Sequence, residues 1–350
     1  MNLYEILKTA SDLKASDIHI TVGVPCTYRI HGKLVHIDDK ILLPDDTKTL
    51  VRELCNDAQF GLLTKKGEVD FSFSMPGLQR FRVNAYKQRN SYSAALRLVN
   101  SKIPPFEELG LPSVVRELTH LSRGIILVTG PTGSGKSTTL ASMIDYINNN
   151  WDKHIITIED PIEYLHRHKK SIVNQREVGS DTKSFANALR AALRQDPDII
   201  LIGEMRDLET IATALTAAET GHLVLSTLHT VGATKTIDRI IDAFPPHQQQ
   251  QVRVQLSMLL QGVISQQLIT RRDGKGRVAA VETMVVNAAI RNIIREAKIH
   301  QINNVIQTSA SKGMKLMDDA IIELYNKQLI SREDALMHCV DPEYMRKSLF

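Results

Sequence analysis

The chain has 350 residues, of which 43% are hydrophobic and 23% charged, and it carries a formal net charge of +4 at pH 7. That length holds two domains with a core each, and that balance belongs to a soluble globular protein, not a disordered or fibrous one. No apolar run approaches the ~18 residues of a bilayer span, and three scattered cysteines (Cys26, Cys55, Cys339) argue against a disulfide framework and for a reducing compartment.

Residues 1–8 lack the basic-then-apolar plan of a signal peptide. Leu3, Ile6, Leu7 and Ala10 recur at helical spacing and predict a short amphipathic helix ending near Ser11 and Asp12. Segments 16–20 and 27–30 read as strands, and His31 and Gly32 turn the chain into a third over 33–37. Pro44 is read as a break before a helix over 46–54. Strands return over 69–74, 79–86 and 93–99, so the first block is mixed α+β with antiparallel pairing. Within it, Phe81, Val83 and Ala85 alternate with Arg80, Arg82 and Asn84, placing two arginines on one face. Spacing alone reads that face as solvated. Proline and glycine over 101–105 and 110–112 mark a linker.

Beyond it, strands alternate with helices. An apolar run over 124–129 leads into Gly130-Pro131-Thr132-Gly133-Ser134-Gly135-Lys136-Ser137-Thr138, where 130–137 fit G-x-x-x-x-G-K-[ST], the phosphate-binding loop. Its glycines allow backbone angles closed to other residues, so several N–H groups converge on a phosphate. The helix starting near Lys136 aims its positive end at the same anion. Lys136 adds a charge for the β- and γ-phosphates, and the Ser137 hydroxyl a ligand for Mg²⁺.

A strand over 154–158 then ends in Glu159, Asp160 and Glu163. A helix around Phe185, Leu189 and Leu193 is stopped by Pro197, and a strand over 199–203 ends in Glu204. A helix over 208–220 closes at Gly221, and a strand over 223–227 runs to His229. Such apolar strands joined by helices predict a parallel sheet covered on both faces, with ligands at the carboxyl ends of its strands. That rule sets Glu159, Asp160, Glu163, Glu204 and His229 on one rim with the glycine loop.

The last third reads as helical. Pro245 and Pro246 precede a helix carrying Val252, Leu256, Leu259, Leu260 and Val263. The charged stretch 271–277 turns between two short strands, Asn287 caps a helix with Ile290, Ile293, Ile294 and Ala297 inward, and Ser331 opens a final short helix.

Nucleotide hydrolysis needs Mg²⁺, a carboxylate for its water shell and a residue that orients the attacking water. Glu204 fits the second role, although Gly203 stands where aspartate is more usual. Glu163 fits the third, with Glu159 and Asp160 holding it or the metal. His229, at a carboxyl end, is placed to sense the γ-phosphate, whereas position alone makes His222, at the opposite strand end, structural. His166-Arg167-His168, with no cysteine nearby, is a weak metal signal.

Together these residues resemble a family. The glycine loop, Ile158-Glu159-Asp160-Pro161-Ile162-Glu163, Arg194-Gln195-Asp196-Pro197-Asp198, Gly203-Glu204-Met205-Arg206-Asp207, Thr220-Gly221-His222 and Thr227-Leu228-His229-Thr230 are similar to motifs of the secretion-type AAA-like ATPases of type II secretion and type IV pili. Ala15-Ser16-Asp17-Ile18-His19-Ile20 is similar to that family's N-terminal motif, so the resemblance spans nearly the whole chain. Ala289-Ile290-Arg291-Asn292-Ile293-Ile294-Arg295-Glu296 resembles the motif of the pilus-retraction branch. The tetracysteine motif and long N-terminal extension of assembly ATPases are absent from it. Val231 departs from the family's usual asparagine, and Ile293 from leucine.

The resemblance implies an α/β chain: a PAS-like α+β domain over 1–100, a linker over 101–112, and a RecA-like P-loop ATPase domain over 113–350 whose helical part begins at about 285. It implies a cytoplasmic homohexamer that hydrolyses ATP with Mg²⁺ to retract type IV pili. The ring would be held at the inner membrane by a platform protein of the pilus machinery, with no span of its own and no nucleic-acid partner. Glu163 would be the catalytic base, and Glu204 would act on Mg²⁺ through water. His222 and His229 would form a histidine box at the nucleotide, and Arg82 and Arg97 would reach that nucleotide from the first domain. Arg291 and Arg295 lie one turn apart, opposite the buried isoleucines. Pattern alone reads them equally as a solvated stripe or a docking surface, and the resemblance selects docking. The alternatives are a pilus-assembly or type II secretion ATPase, and a nucleic-acid motor. The weak net charge and the absence of a basic-aromatic track argue against the motor.

Overall fold

A computed structural model describes all residues except Met1, His31, Pro76, Gly77, Gln79, Asn100, Ser101 and Phe350. The expected turn at His31, strand start at Gln79 and linker residue Ser101 therefore lie outside the described residues. The chain divides into two units: Met1–Lys102 with Glu163–Leu165, and Ile103–Ile162 with His166–Phe350.

In the first unit, α1 (Leu3–Asp12) starts with a reciprocal box between Asn2 and Glu5 and buries Leu3, Ile6, Leu7 and Ala10. Strands β1 (Asp17–Ile20), β2 (Thr27–Ile30) and β3 (Lys33–His36) follow. Helix α2 (Pro44–Leu54) includes the proline read as a break, because at the first helical position a missing N–H costs no helical hydrogen bond. Helix α3 (Asp57–Lys66) has no counterpart in the sequence reading: Leu63 is its one buried residue, so it carries no apolar stripe. Its legible signals were the Asn56–Gln59 box before it and Gly67, at φ 92°, after it. Strands β4 (Glu68–Ser74), β5 (Arg80–Gln88) and β6 (Ser91–Leu98) complete a six-stranded sheet in the order β3-β2-β1-β6-β5-β4. All its pairings are antiparallel. Phe81, Val83 and Ala85 are fully buried, as their alternation predicts.

The second unit begins inside the stretch read as linker. Phe106 of α4 (Phe106–Leu109) is buried, and α5 (Ser113–Leu118) buries Val114, Val115 and Leu118. The sheet strands are β7 (Gly124–Thr129), β8 (His154–Glu159), β9 (Ile172–Glu177), β10 (Ile199–Ile202), β11 (Leu223–Leu228), β12 (Leu260–Thr270) and β13 (Arg277–Val285). Their order is β13-β12-β7-β11-β10-β8-β9, and every pair is parallel except β12 with β13. Between and after them run α6 (Lys136–Asn150), α7 (Phe185–Ala192), α8 (Leu208–Glu219), α9 (Ala233–Asp242), α10 (Pro246–Leu259) and α11 (Ala288–Arg295). The chain ends in α12 (Ile302–Thr308), α13 (Met317–Asn326), α14 (Arg332–His338) and α15 (Pro342–Ser348). Ile125 and Leu127 of β7 pack in the same core as Ile211 of α8 and Ile237 of α9. Ile126 and Val128 point the other way, into the core of Leu140 and Ile144 of α6.

Four expectations change here. Leu260 and Val263 do not extend the α10 helix. Leu260 opens β12, which pairs with β7 from Ile125 onward, and that partner decides between the two periods an apolar run allows. The strands flanking 271–277 are eleven and nine residues long, not short, and both belong to the main sheet. Strand β9 and helix α9 join the expected elements. Ala297 is exposed beyond the end of α11 with φ 59°, not turned inward.

Candidate nucleotide site

Because β7, β8, β10 and β11 are parallel, their carboxyl ends share one edge of the second unit. The glycine loop leaves that edge from β7. Gly130 has φ 138°, and a Cβ there would overlap the Gln266 carbonyl oxygen of β12, so only glycine fits the close approach. Lys136 is buried and its Nζ donates to the carbonyls of Gly130 and Pro131, both at 2.9 Å, which folds the ammonium over the loop. Pro131, Thr132 and Gly133 are exposed, and Ser137 and Thr138 sit half-buried in the first turn of α6. Around the loop the Thr129 hydroxyl, the Ser134 hydroxyl and Oε1 of Gln266 are buried without hydrogen-bond partners among the described residues. A polar ligand suits such a cradle. Sequence reasoning passed over Arg277, whose Nη1 donates to the Gly133 carbonyl at 3.5 Å.

Glu204 reaches the same edge through a turn pinned on both sides. The Gly203 N–H donates to Ile158 at 2.7 Å, the Thr227 hydroxyl to the Gly203 carbonyl at 2.6 Å, and the Met205 N–H to Thr227 at 3.1 Å. A side chain at 203 would press on the Ile158 carbonyl at 3.3 Å, a physical reason for glycine where aspartate is usual. The largely buried Glu204 carboxylate pairs with Nε of Arg206 at 2.7 Å and lies 3.3 Å from Nε2 of His229. A cavity of about 330 Å³ beside it is lined by Glu204, Arg206, Thr227, His229, Thr230 and Arg239, among others. Arg206 was read only as part of a motif.

The other acids divide. Glu159 is held inside the sheet, its Oε1 accepting from Thr157 at 2.6 Å and from Gln175 at 3.0 Å, while Asp160 is exposed. Glu163 is exposed and lies in the segment Glu163–Leu165 of the first unit, so it is not among the side chains the second unit gathers. His222 lies where its position in the sequence put it, at the other end of β11 from His229: it precedes the strand and His229 follows it, and a six-residue strand spans about 20 Å. Its Nδ1 sits 2.9 Å from the Ala217 carbonyl, so within one chain it closes the end of α8 and does not join the glycine loop. Nδ1 of His168 accepts the Val173 N–H at 3.1 Å, and burial pushes the His166 pKa down to about 4. Among the described residues no three His, Cys, Asp or Glu side chains converge on one point as a metal-ligand set.

In the first unit Arg82 and Arg97 are cross-strand partners on β5 and β6. They line a depression of about 290 Å³ with Asp17, Asp70 and Asn84. Nε of Arg97 donates to Asp17 at 2.9 Å. Burial raises the Asp17 pKa, but hydrogen bonds from Ser16 and Arg97 outweigh it and the net shift is downward.

On α11 the expected basic stripe is split. Ile290, Ile293 and Ile294 are buried as expected, and Ala289, Asn292, Arg295 and Glu296 are exposed. Arg291 is committed elsewhere: Nη1 donates to the Ser257 and Met258 carbonyls at 2.8 and 2.7 Å, and Nη2 to Gln261 at 3.2 Å. It closes the carboxyl end of α10, where orphan carbonyls attract a cation.

Residues 2–329 match the family model for type II/IV secretion system proteins. The chain is 51% identical over 343 residues to the type IV pilus retraction ATPase PilT of Pseudomonas aeruginosa, covering 98% of this chain and 99% of that one. It is 49% identical over 348 residues to a twitching motility protein of Neisseria gonorrhoeae, covering 98% and 92%. It also resembles a crystal structure of the pilus retraction motor PilT with bound ADP, with a TM-score of 0.93 and 52% identity over 99% of each chain. This likeness bears out the expected α/β class with an N-terminal domain before an ATPase domain.

Proposed function

The chain belongs to the type II/IV secretion system protein family, and from that premise we propose an ATPase that drives type IV pilus retraction. The observation that carries this reading is the likeness, over 99% of the chain, to a retraction motor solved with ADP. The second unit supports it chemically, since it brings a glycine loop, a carboxylate and a histidine to one sheet edge.

Lys136 and the backbone N–H groups of 133–138 receive the β- and γ-phosphates, the ammonium exchanging its carbonyl partners for phosphate oxygens. Ser137 and, through water, Glu204 offer the hard oxygen donors that suit Mg²⁺. Held by these residues, Mg²⁺ would supply charge to offset that developing on the phosphate oxygens. To serve it, Glu204 releases Arg206. Glu163 orients the attacking water, His229 beside Glu204 reads the γ-phosphate, and Glu159 and Asp160 support the acidic side of the rim. Arg82 and Arg97 supply positive charge to the phosphates once the chain has assembled as a homohexamer. Arg295 and the exposed residues of α11 face a partner in the pilus machinery at the inner membrane, on its cytoplasmic side. Arg291 supports that helix from beneath.

The test is complementation of a strain with static pili. The natural chain restores retraction and hydrolyses ATP, and Glu204→Ala does neither. A Glu204→Ala protein that hydrolyses ATP at the normal rate would sink the assignment.

A further inference from the structure

Strand β13 carries a buried carboxylate that the chemistry above does not use. Glu282 is 5% exposed. Its Oε1 accepts the N–H of Ala233 at 2.7 Å, and its Oε2 accepts the N–H of Met317 at 3.2 Å. Those are the first residues of α9 and α13, and neither helix has a side-chain cap at its own N-cap residue. One side chain thus serves the orphan donors and positive ends of two helices.

The surroundings make the grip two-sided. Next to Ala233, the Gly232 N–H donates to the Ser265 hydroxyl of β12 at 2.9 Å. On the other side Thr283 exchanges backbone hydrogen bonds with Lys315 at 2.9 and 3.0 Å, and its hydroxyl donates to the Gly313 carbonyl at 2.6 Å. Asp318, buried and adjacent to Met317, accepts the N–H groups of Val340 and Asp341 at 2.7 and 2.8 Å. Contacts therefore run from the turn after His229, through α9 and Glu282, to α13 and on to the start of α15.

Burial raises the Glu282 pKa, the two backbone hydrogen bonds oppose that, and the Asp318 charge adds to it, leaving a net upward shift. An apolar side chain of similar volume would fill the space but leave both buried N–H groups without an acceptor, whereas the two carboxylate oxygens let one residue serve both helix starts.

We propose that Glu282 is a positioning residue for hydrolysis: it sets the start of α9, and with it the His229 turn beside Glu204, and ties that turn to the C-terminal helices. This rests on the reading of His229 given above. The experiment uses the full chain with Glu282→Gln, which keeps the shape but turns one acceptor into a donor facing an N–H. It also uses His229→Gln and the double variant. Glu282→Gln should lower kcat about tenfold while KM and ADP affinity stay within about twofold. The double variant should lose no more than His229→Gln alone, because the two act through one turn. ADP binding should alter amide-hydrogen exchange over 313–341 in the natural chain and no longer do so in Glu282→Gln.

A folded Glu282→Gln protein with unchanged kcat overturns the inference, as does a double variant whose losses multiply. If Glu282→Gln does not fold, Glu282→Met takes its place, and a folded Glu282→Met protein with full kcat overturns it equally. With His229→Gln impaired, either result leaves the site reading standing. A His229→Gln protein at full rate instead removes the site reading, and the inference with it.

Discussion

The two sheets expose different parts of themselves. In the first unit the antiparallel strands bury one face, and the other presents Arg82, Asn84 and Arg97. In the second, β7, β10 and β11 are buried at every position, so their faces can carry nothing but core. Chemistry in that sheet is confined to strand ends, where the glycine loop, Glu204 and His229 emerge. A sheet covered once can work through a face; a sheet covered twice has only its ends. The same logic explains why alternation was informative in β5 and a continuous apolar run was informative in β10.

Breaking this contrast at a strand end should have the largest effect. Glu204→Ala should lower kcat by at least ~100-fold with little change in melting temperature, measured by steady-state hydrolysis and thermal unfolding. A parallel loss of fold would make Glu204 a structural residue after all. On the first sheet the two faces should separate cleanly. Phe81→Ala, in the core, should cost about 3–5 kcal/mol in chemical denaturation. Arg82→Ala should change stability by no more than ~0.5 kcal/mol yet reduce hydrolysis. Equal stability losses would end the distinction between faces.

Helix α11 offers the same comparison between engaged and exposed charge. Arg291→Ala removes three hydrogen bonds at the end of α10 and should cost about 1–3 kcal/mol. Arg295→Ala should be near neutral in stability while impairing retraction scored by twitching, and an Arg295→Ala strain that retracts normally would remove α11 as a docking surface. The smallest effect concerns Asp17. Its pKa is lowered in the folded chain, so the stability it lends is present above the ordinary carboxylate pKa and is lost as pH falls through the depressed value. Arg97 is 70% exposed, so screening keeps that contribution small. Arg97→Ala should move the Asp17 titration upward by NMR, and an unmoved titration would show that Arg97 plays no part.

How much of this was legible depends on the range of the interaction that decides each feature. The glycine loop, its flanking strand and helix, and the alternation of β5 are written in neighbouring residues, because backbone freedom and side-chain period act locally. The strand-end rule also carried Glu204 and His229 to the same edge. By contrast α3 had no apolar stripe, and only its caps gave it away. Glu163 and Glu159, four residues apart, fall in different units.

The sequence by itself determined the phosphate loop, the two styles of sheet and the buried residues of β5 and α1, since each follows from residue types at short spacing. Tertiary structure alone decided that Leu260 begins a strand, that the His222 ring meets the Ala217 carbonyl of α8 and that Arg291 caps α10 instead of facing outward. It also decided that Glu282 holds two helices. In each case the deciding partner lies at least five residues away and in most cases dozens, and a buried polar group takes its role from the donor or acceptor that packing brings to it.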